Sequence, residues 1–231
     1  TEIPAKATGN DVFSAKPSIN DWFETIKLNY GVDYLDNRKQ HFEPIPSTWL
    51  KMRDILTYWT KKGVDGFRCD MAHLVPLDFW HAARKRLERL GNLLWLAECE
   101  DVAYHDVFDI SYAWQWMHAT EKMMKGEMGV HDIYNVLHAY AQYPKGAFKL
   151  FYTSNHDENS WNGTEYEKYG DMTQALAVFS MTWNGVPLIY SGQEIGNRKR
   201  IAFFEKDIFQ KGADASMLTR LYQTLTRLKR E

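Results

Sequence analysis

The sequence lacks the features that mark several large classes of protein. It contains only two cysteines, Cys69 and Cys99, which are too few for a disulfide framework and do not settle the redox compartment. No apolar run approaches the roughly 18 residues of a membrane-spanning helix. The 28 Lys and Arg residues are balanced by 30 Asp and Glu residues, so the chain lacks the strong positive charge that holds a nucleic acid. We therefore expect no nucleic-acid partner and no membrane segment.

What the sequence does contain is an ordinary share of hydrophobic residues and a surplus of aromatic ones. Hydrophobic residues make up 45% and charged residues 25% of the 231 positions, a composition that can bury a sizeable core. Aromatic residues make up 15%, with nine Trp. Most of them are expected to fill the core. The surplus also suits a ligand with flat apolar faces, such as a sugar.

The beginning of the chain differs in pattern from the remainder. Turn-forming residues dominate the first 46 positions. Ser47-Thr48 can then cap a helix whose apolar residues recur at helical spacing until Gly63. Residues 1–63 are therefore predicted to form a loop-rich lead-in plus one helix.

Residues 64–231 alternate between short apolar segments and helical stripes, which predicts an α/β fold. The strands are predicted at 64–69, 93–97, 107–110, 148–154 and 186–191. The helices are predicted between 76 and 91, over 133–140, over 171–183 and over 218–228. Short connections predict that the first two strands are parallel neighbours. Repeated units of this kind indicate a βα barrel or an open doubly wound sheet. No glycine-rich phosphate loop follows any of the predicted strands, which argues against the nucleotide-binding form of the open sheet.

Three of the predicted strands are followed by a carboxylate, namely Asp70, Glu98 and Asp157. The carboxyl ends of parallel strands converge on one face, where ligands bind. Carboxylates gathered there repel one another, so that one can stay ionised while another keeps its proton. Glycoside hydrolysis needs such a pair. A metal site would use similar residues, and it is the competing interpretation.

Four segments resemble signature segments of glycoside hydrolase family 13, the α-amylase family of retaining (β/α)8 enzymes. They are GFRCD at 66–70, WLAE at 95–98, TSNHD at 153–157 and PLIYSGQEIG at 187–196. Their order and spacing also fit, and the resemblance covers about residues 20–230. It implies a TIM-type (β/α)8 barrel.

The resemblance also implies a role for each of five residues. Asp70 would be the nucleophile and Glu98 the general acid/base. Asp157 would be a third carboxylate that holds sugar hydroxyls and favours ring distortion. Arg68 would orient Asp70 and keep it ionised, and His156 would donate to a hydroxyl of the sugar being cleaved. The residue pattern agrees with these roles. Arg68 and Asp70 are two positions apart on one strand, so their side chains face the same way. Glu98 follows a very apolar segment, and a drier environment raises the pKa of an acid.

Other candidate residues leave alternatives open. Glu100 faces the same way as Glu98 while the strand lasts, which makes it a rival acid that only the family pattern disfavours. Trp161 is a candidate sugar-stacking platform, although a packed loop aromatic fits equally well. His73 lies where family members often carry a substrate-contacting Lys or a calcium-linked His; the match is inexact, and packing within the loop is the alternative. Gln193 is expected to be structural.

Five units are fewer than the eight of a complete barrel, so we expect this chain to be a fragment that holds about strands four to eight. The family's first signature segment and its C-terminal β domain are not found. No metal site is predicted, and calcium is expected at most in the full-length enzyme, because the family draws one ligand from the missing segment. A partial barrel leaves strand edges open, so the fragment is expected to associate with itself and to lack normal turnover.

The implied function is retaining hydrolysis of α-1,4-linked glucans such as starch or maltooligosaccharides. One alternative is a transglycosylase or isomerase of the same family, in which the acceptor is a sugar. Another is a non-catalytic binding or scaffold relative, although such relatives typically lack the catalytic carboxylates that are all present here.

Overall fold

The computed structural model describes residues 8–14, 16–22 and 24–231. The start of the predicted lead-in therefore lies outside the described residues. The chain divides into two compact units, residues 1–108 and 109–231, and each is described by itself.

The first unit contains a small hairpin and one strand–helix–strand unit. Its elements are β1 (Val32–Asp33), β2 (Lys39–Gln40), α1 (Ser47–Lys61), β3 (Gly66–Cys69), α2 (Leu77–Leu87) and β4 (Leu94–Ala97). β1 and β2 are antiparallel, whereas β3 and β4 are parallel, with Gly66 opposite Leu94 and Cys69 opposite Ala97. The predicted parallel pair and the predicted helix after residue 46 are both confirmed.

The start of α1 differs from the prediction that Ser47-Thr48 would cap it. The helix begins at Ser47 itself, after Pro46, and no side chain caps it. Pro46 has an extended backbone, and its carbonyl accepts the Trp49 N–H at 3.0 Å. The Trp49 indole N–H in turn donates to the Tyr30 carbonyl at 3.0 Å, which ties the helix to the lead-in.

The core of the first unit is aromatic, as the composition predicts for most of the rings. Trp80 on α2 lies edge-on to Phe79 and Phe108, with ring centroids 5.0 and 5.2 Å apart. Trp95 on β4 meets Phe108 in the same way at 6.0 Å. The Trp80 indole N–H donates to the Ala72 carbonyl at 3.1 Å, so that α2 is fixed to the turn that follows β3.

The second unit contains three parallel strands and five helices. Its elements are β5 (Ile110–Tyr112), α3 (Trp114–Met124), α4 (Val130–Ala141), β6 (Phe148–Phe151), α5 (Glu165–Tyr169), α6 (Thr173–Thr182), β7 (Val186–Pro187) and α7 (Ala215–Arg230). β5 and β7 both pair with β6 in parallel. Within the described part of the chain, no helix is both long enough and apolar enough to span a bilayer.

Several boundaries in the second unit differ from the prediction. The strand predicted at 107–110 lies at 110–112, and the strand predicted at 186–191 has only two residues. The helix predicted over 171–183 begins at Thr173, because Gly170 has a positive φ of 50° and starts a separate 3₁₀ turn. Helix α3, whose buried face mixes apolar and polar residues, was not predicted.

The close approach of β3 and β4 predicts a large difference between two Gly→Ala variants. A Cβ atom at Gly66 would overlap the Leu94 backbone carbonyl, whereas a Cβ atom at Gly91 would meet nothing within 4 Å. Gly66→Ala should lower the free energy of unfolding by about 2 kcal/mol or more, and Gly91→Ala should change it by less than about 0.5 kcal/mol. Urea unfolding measures both, and equal effects would contradict the observed strand spacing.

Candidate active site

Two of the predicted carboxylates come from equivalent positions on the paired strands of the first unit. Cys69 and Ala97 are opposite each other at the ends of β3 and β4, and Asp70 and Glu98 are the next residues. The Glu98 N–H donates to the Cys69 carbonyl at 2.9 Å, so the pairing continues to the site itself. Strand register therefore brings Asp70 and Glu98 together.

The guanidinium group of Arg68 contacts both carboxylates. Its Nη1 atom lies 2.5 Å from Asp70 Oδ1, and its Nη2 atom lies 3.2 Å from Glu98 Oε2. Arg68 thus occupies the place beside Asp70 that was predicted for it, and it also reaches the second carboxylate.

Asp70 and Glu98 differ sharply in their exposure to water. The Asp70 side chain is 75% exposed, whereas that of Glu98 is 9% exposed. Burial raises the pKa of Glu98, whereas the hydrogen bond from the Met71 N–H and the charge of Arg68 lower it. The negative charge of Asp70 and its hydrogen bond raise the pKa further. The net shift of the Glu98 pKa is upward. The arrangement can therefore present a solvated carboxylate beside a carboxyl group that keeps its proton to higher pH.

A backbone group that the sequence did not point to completes the surroundings of Glu98. The Met71 N–H donates to Glu98 Oε2 at 2.8 Å. Met71 has φ 41° and ψ 45°, a left-handed conformation that is uncommon in residues other than glycine. A 3₁₀ turn, Ala72–Leu74, follows, and it carries His73 as an exposed side chain. Sequence pattern carries no signal for such a backbone donor.

Glu100 and the two cysteines can also be placed. β4 ends at Ala97, so the strand alternation that made Glu100 a rival acid does not extend to it. Glu98 is the residue that contacts both Arg68 Nη2 and the Met71 N–H. Cys69 and Cys99 are buried and form no disulfide, and burial raises the pKa of Cys69 to about 12, which describes an inert thiol.

His156 and Asp157 lie on a turn that follows β6 in the second unit. The buried Asn155 side chain organises this turn, because its Oδ1 atom accepts the Asp157 N–H at 3.0 Å and the Glu158 N–H at 2.7 Å. His156 Nε2 lies 3.3 Å from Asp157 Oδ2, and both side chains reach solvent. Asn155 was not among the predicted site residues, although Asn is a residue that often forms turns of this kind.

A buried ion-pair cluster supports the same turn. The Lys168 Nζ atom lies 2.9 Å from Glu121 Oε1 and 3.0 Å from Glu158 Oε2. Asn162 donates to the other carboxylate oxygen of Glu158 at 3.0 Å. Glu158 directly follows Asp157, so this cluster fixes the backbone on which Asp157 is held.

A second buried network joins the 153–157 segment to the 187–196 segment. Thr153 Oγ1 donates to Glu165 Oε2 at 2.7 Å, and Gln193 Nε2 donates to the same oxygen at 2.5 Å. Burial raises the pKa of Glu165. Gln193 is therefore structural, as expected.

No metal centre is found in the part of the chain that the structure describes. Within residues 8–14, 16–22 and 24–231, no three His, Cys, Asp or Glu side chains are grouped so that they could hold a metal ion. Calcium in a full-length enzyme stays a prediction.

Comparison with known proteins shows the family of the chain. The α-amylase catalytic-domain family matches residues 45–227, so the chain belongs to the α-amylase family. It is 27% identical over 179 residues to an α-amylase of Haloarcula japonica, a match that covers 74% of this chain and 24% of that protein. It is 36% identical over 69 residues to an α-1,4-glucan:maltose-1-phosphate maltosyltransferase of Cereibacter sphaeroides, covering 26% of this chain and 12% of that enzyme.

Solved structures of the family share the fold. A maltogenic α-amylase of Thermotoga neapolitana aligns with a TM-score of 0.72 and 26% identity, covering 82% of this chain and 45% of that chain. An α-amylase of Lactobacillus plantarum gives the same score and identity, covering 91% of this chain and 52% of that one. The fold is therefore part of a TIM-type barrel, and the chain spans about half of these enzymes and about a quarter of the Haloarcula protein.

The raised pKa of Glu98 predicts a pH-dependent difference in stability. Because the folded chain holds this proton more tightly than the unfolded chain does, the stabilisation is complete below the ordinary pKa of 4.5 and is lost as the pH rises through the folded value. Wild type should therefore lose stability relative to Glu98→Gln as the pH rises above 4.5. Urea unfolding at several pH values measures this, and a constant difference between the two proteins would contradict the raised pKa.

Proposed function

We propose that the complete protein hydrolyses α-1,4-glucosidic bonds in maltooligosaccharides or starch with retention of configuration. The observation that carries this proposal is the Arg68 guanidinium that joins the exposed Asp70 carboxylate to the buried Glu98 carboxyl group. A retaining enzyme needs a nucleophilic carboxylate beside a carboxyl group with a raised pKa. Membership of the α-amylase family supports the choice of an α-glucan as substrate.

In the first step, Glu98 protonates the glycosidic oxygen while Asp70 attacks the anomeric carbon. The bond to the leaving sugar breaks, and an ester between Asp70 and the remaining sugar forms. Arg68 holds Asp70 in place, and the Met71 N–H stabilises the carboxylate that Glu98 becomes. In the second step, Glu98 deprotonates a water molecule that attacks the same carbon and releases Asp70.

We assign three exposed residues of the second unit and one of the first unit to sugar binding. Asp157 would accept hydrogen bonds from sugar hydroxyls, and His156 would donate to one. Their exposure, together with the fixed turn at Asn155, supports these roles. Trp161 is assigned to stacking on a sugar, and His73, which is exposed just beyond Asp70, to contact with the substrate.

Replacing the proposed nucleophile should abolish turnover of maltooligosaccharides by the full-length protein. Asp70→Asn keeps the shape of the side chain but removes the nucleophile, so kcat should fall at least about 10³-fold while sugar binding is retained. Asp54→Asn, an exposed position on α1, is the matched control and should keep full activity. If Asp70→Asn kept more than a few per cent of the activity, another residue would be the nucleophile.

Replacing the proposed acid should give a loss that depends on the leaving group. Glu98→Gln should lower kcat by about 10²–10⁴-fold on maltooligosaccharides. The loss should be much smaller on an aryl glycoside with a good leaving group, because its departure needs no proton. Equal losses on both substrates would contradict the role of Glu98 as acid.

A second candidate function is transfer of the glycosyl group to a sugar. It is favoured by the 36% identity to a maltosyltransferase, a match that covers 69 residues. The same covalent intermediate would then be opened by a sugar hydroxyl instead of water. Product analysis with maltotriose distinguishes the two functions, because a hydrolase gives only shorter products whereas a transferase also gives longer ones.

A further inference from the structure

Three large aromatic side chains form an exposed cluster in the second unit, here called the aromatic platform. Trp161, Phe203 and Phe204 are 58%, 41% and 81% exposed. Their ring centroids lie 5.0 Å apart for Trp161 and Phe203, 6.2 Å for Trp161 and Phe204, and 4.8 Å for the two Phe rings. Grouped exposed aromatic surface commonly marks a binding site, whereas single exposed apolar residues need no explanation.

The two segments that carry the aromatic platform are hydrogen-bonded to each other. Asn159, which is buried, accepts the Ile201 N–H on its Oδ1 atom at 2.8 Å. The Ser160 hydroxyl donates to the Ile201 carbonyl at 2.6 Å. Both contacts are made by residues immediately before Trp161, and both reach the residue two positions before Phe203.

The segment that carries the two Phe rings is also stabilised by an ion pair and a hydrogen bond within the segment itself. Asp207 is paired with the Lys199 ammonium group, and it accepts the Ala202 N–H at 2.9 Å. These bonds flank the two Phe residues on both sides. The backbone that carries the rings is therefore held before any ligand binds, which reduces the entropy lost on binding.

The aromatic platform is also continuous with the turn that bears Asp157. That residue immediately precedes the π-helical turn Glu158–Asn162, on which Trp161 lies. The platform thus begins four residues along the chain from the carboxylate that is proposed to bind a sugar.

We propose that the aromatic platform binds a pyranose ring of the α-glucan next to the ring that is held at Asp157. This inference rests on the proposed function. A glucose ring has an apolar face of C–H groups that packs on an aromatic ring, while its equatorial hydroxyls stay in water. Three connected rings suit a chain of such sugars better than a single one, so the contribution should grow with the length of the glucan.

The test uses full-length protein in an Asp70→Asn background, which prevents turnover, and it measures maltoheptaose binding by calorimetry. Phe204→Ala and Trp161→Ala should each raise Kd about tenfold, a loss of about 1.4 kcal/mol. Phe204→Tyr should keep the Kd of the Asp70→Asn parent. Phe204→Leu, which keeps an apolar side chain without a ring, should behave like Phe204→Ala. Ile208→Ala is the matched control, since Ile208 is 74% exposed on the same segment and lies outside the platform.

The outcomes separate the platform from the proposed function. If the platform variants bind maltoheptaose as the Asp70→Asn parent does, or if Phe204→Leu retains full affinity, the platform proposal is wrong even where the wild-type protein hydrolyses glucan. If the wild type turns over no glucan but removal of the rings still weakens maltoheptaose binding, the proposed hydrolysis is wrong and sugar binding by the aromatic platform is supported. If Phe204→Ala changes the oligomeric state in sedimentation but not the affinity, the rings form a protein contact, and the sugar proposal is overturned.

Discussion

The candidate site of the first unit depends on one guanidinium group that contacts two carboxyl groups. Asp70 and Glu98 follow paired residues on parallel strands, so strand register alone would force two negative charges close together. Arg68 offsets this repulsion by contacting both, and the raised pKa of Glu98 removes one of the charges when that group is protonated. Burial of one carboxyl group and exposure of the other then decide which of them keeps the proton.

Much of this arrangement could be predicted from the sequence, because it follows from local patterns. Apolar periodicity located β3, α2 and β4, and short connections made the strands parallel neighbours. Alternation along a strand put Arg68 beside Asp70, and the apolar run before Glu98 indicated a dry environment. These rules depend on residues close together in sequence, which is why they held here.

What could not be predicted depends on backbone conformation or on contacts between distant residues. The left-handed Met71 that directs its N–H at Glu98 leaves no mark in the residue pattern. The Lys168 cluster joins residues 47 positions apart, as in its bond to Glu121. The apolar run continues beyond β7, so the sequence predicts a strand of six residues at 186–191. In the structure, only Val186 and Pro187 pair with β6. Tertiary pairing, not local propensity, sets that limit.

The turn that carries Asp157 shows what buried polar groups contribute to such a site. The His156 and Asp157 side chains reach solvent, so hydrophobic burial alone would leave their positions poorly defined. Lys168, Glu158 and Glu165 lie beneath it, where desolvation makes a charge costly and apolar packing would often be more stable. A buried ion pair or hydrogen bond, however, is satisfied in only a narrow range of geometries. We infer that these networks are worth more to the site as a constraint on the position of the turn than as a source of stability.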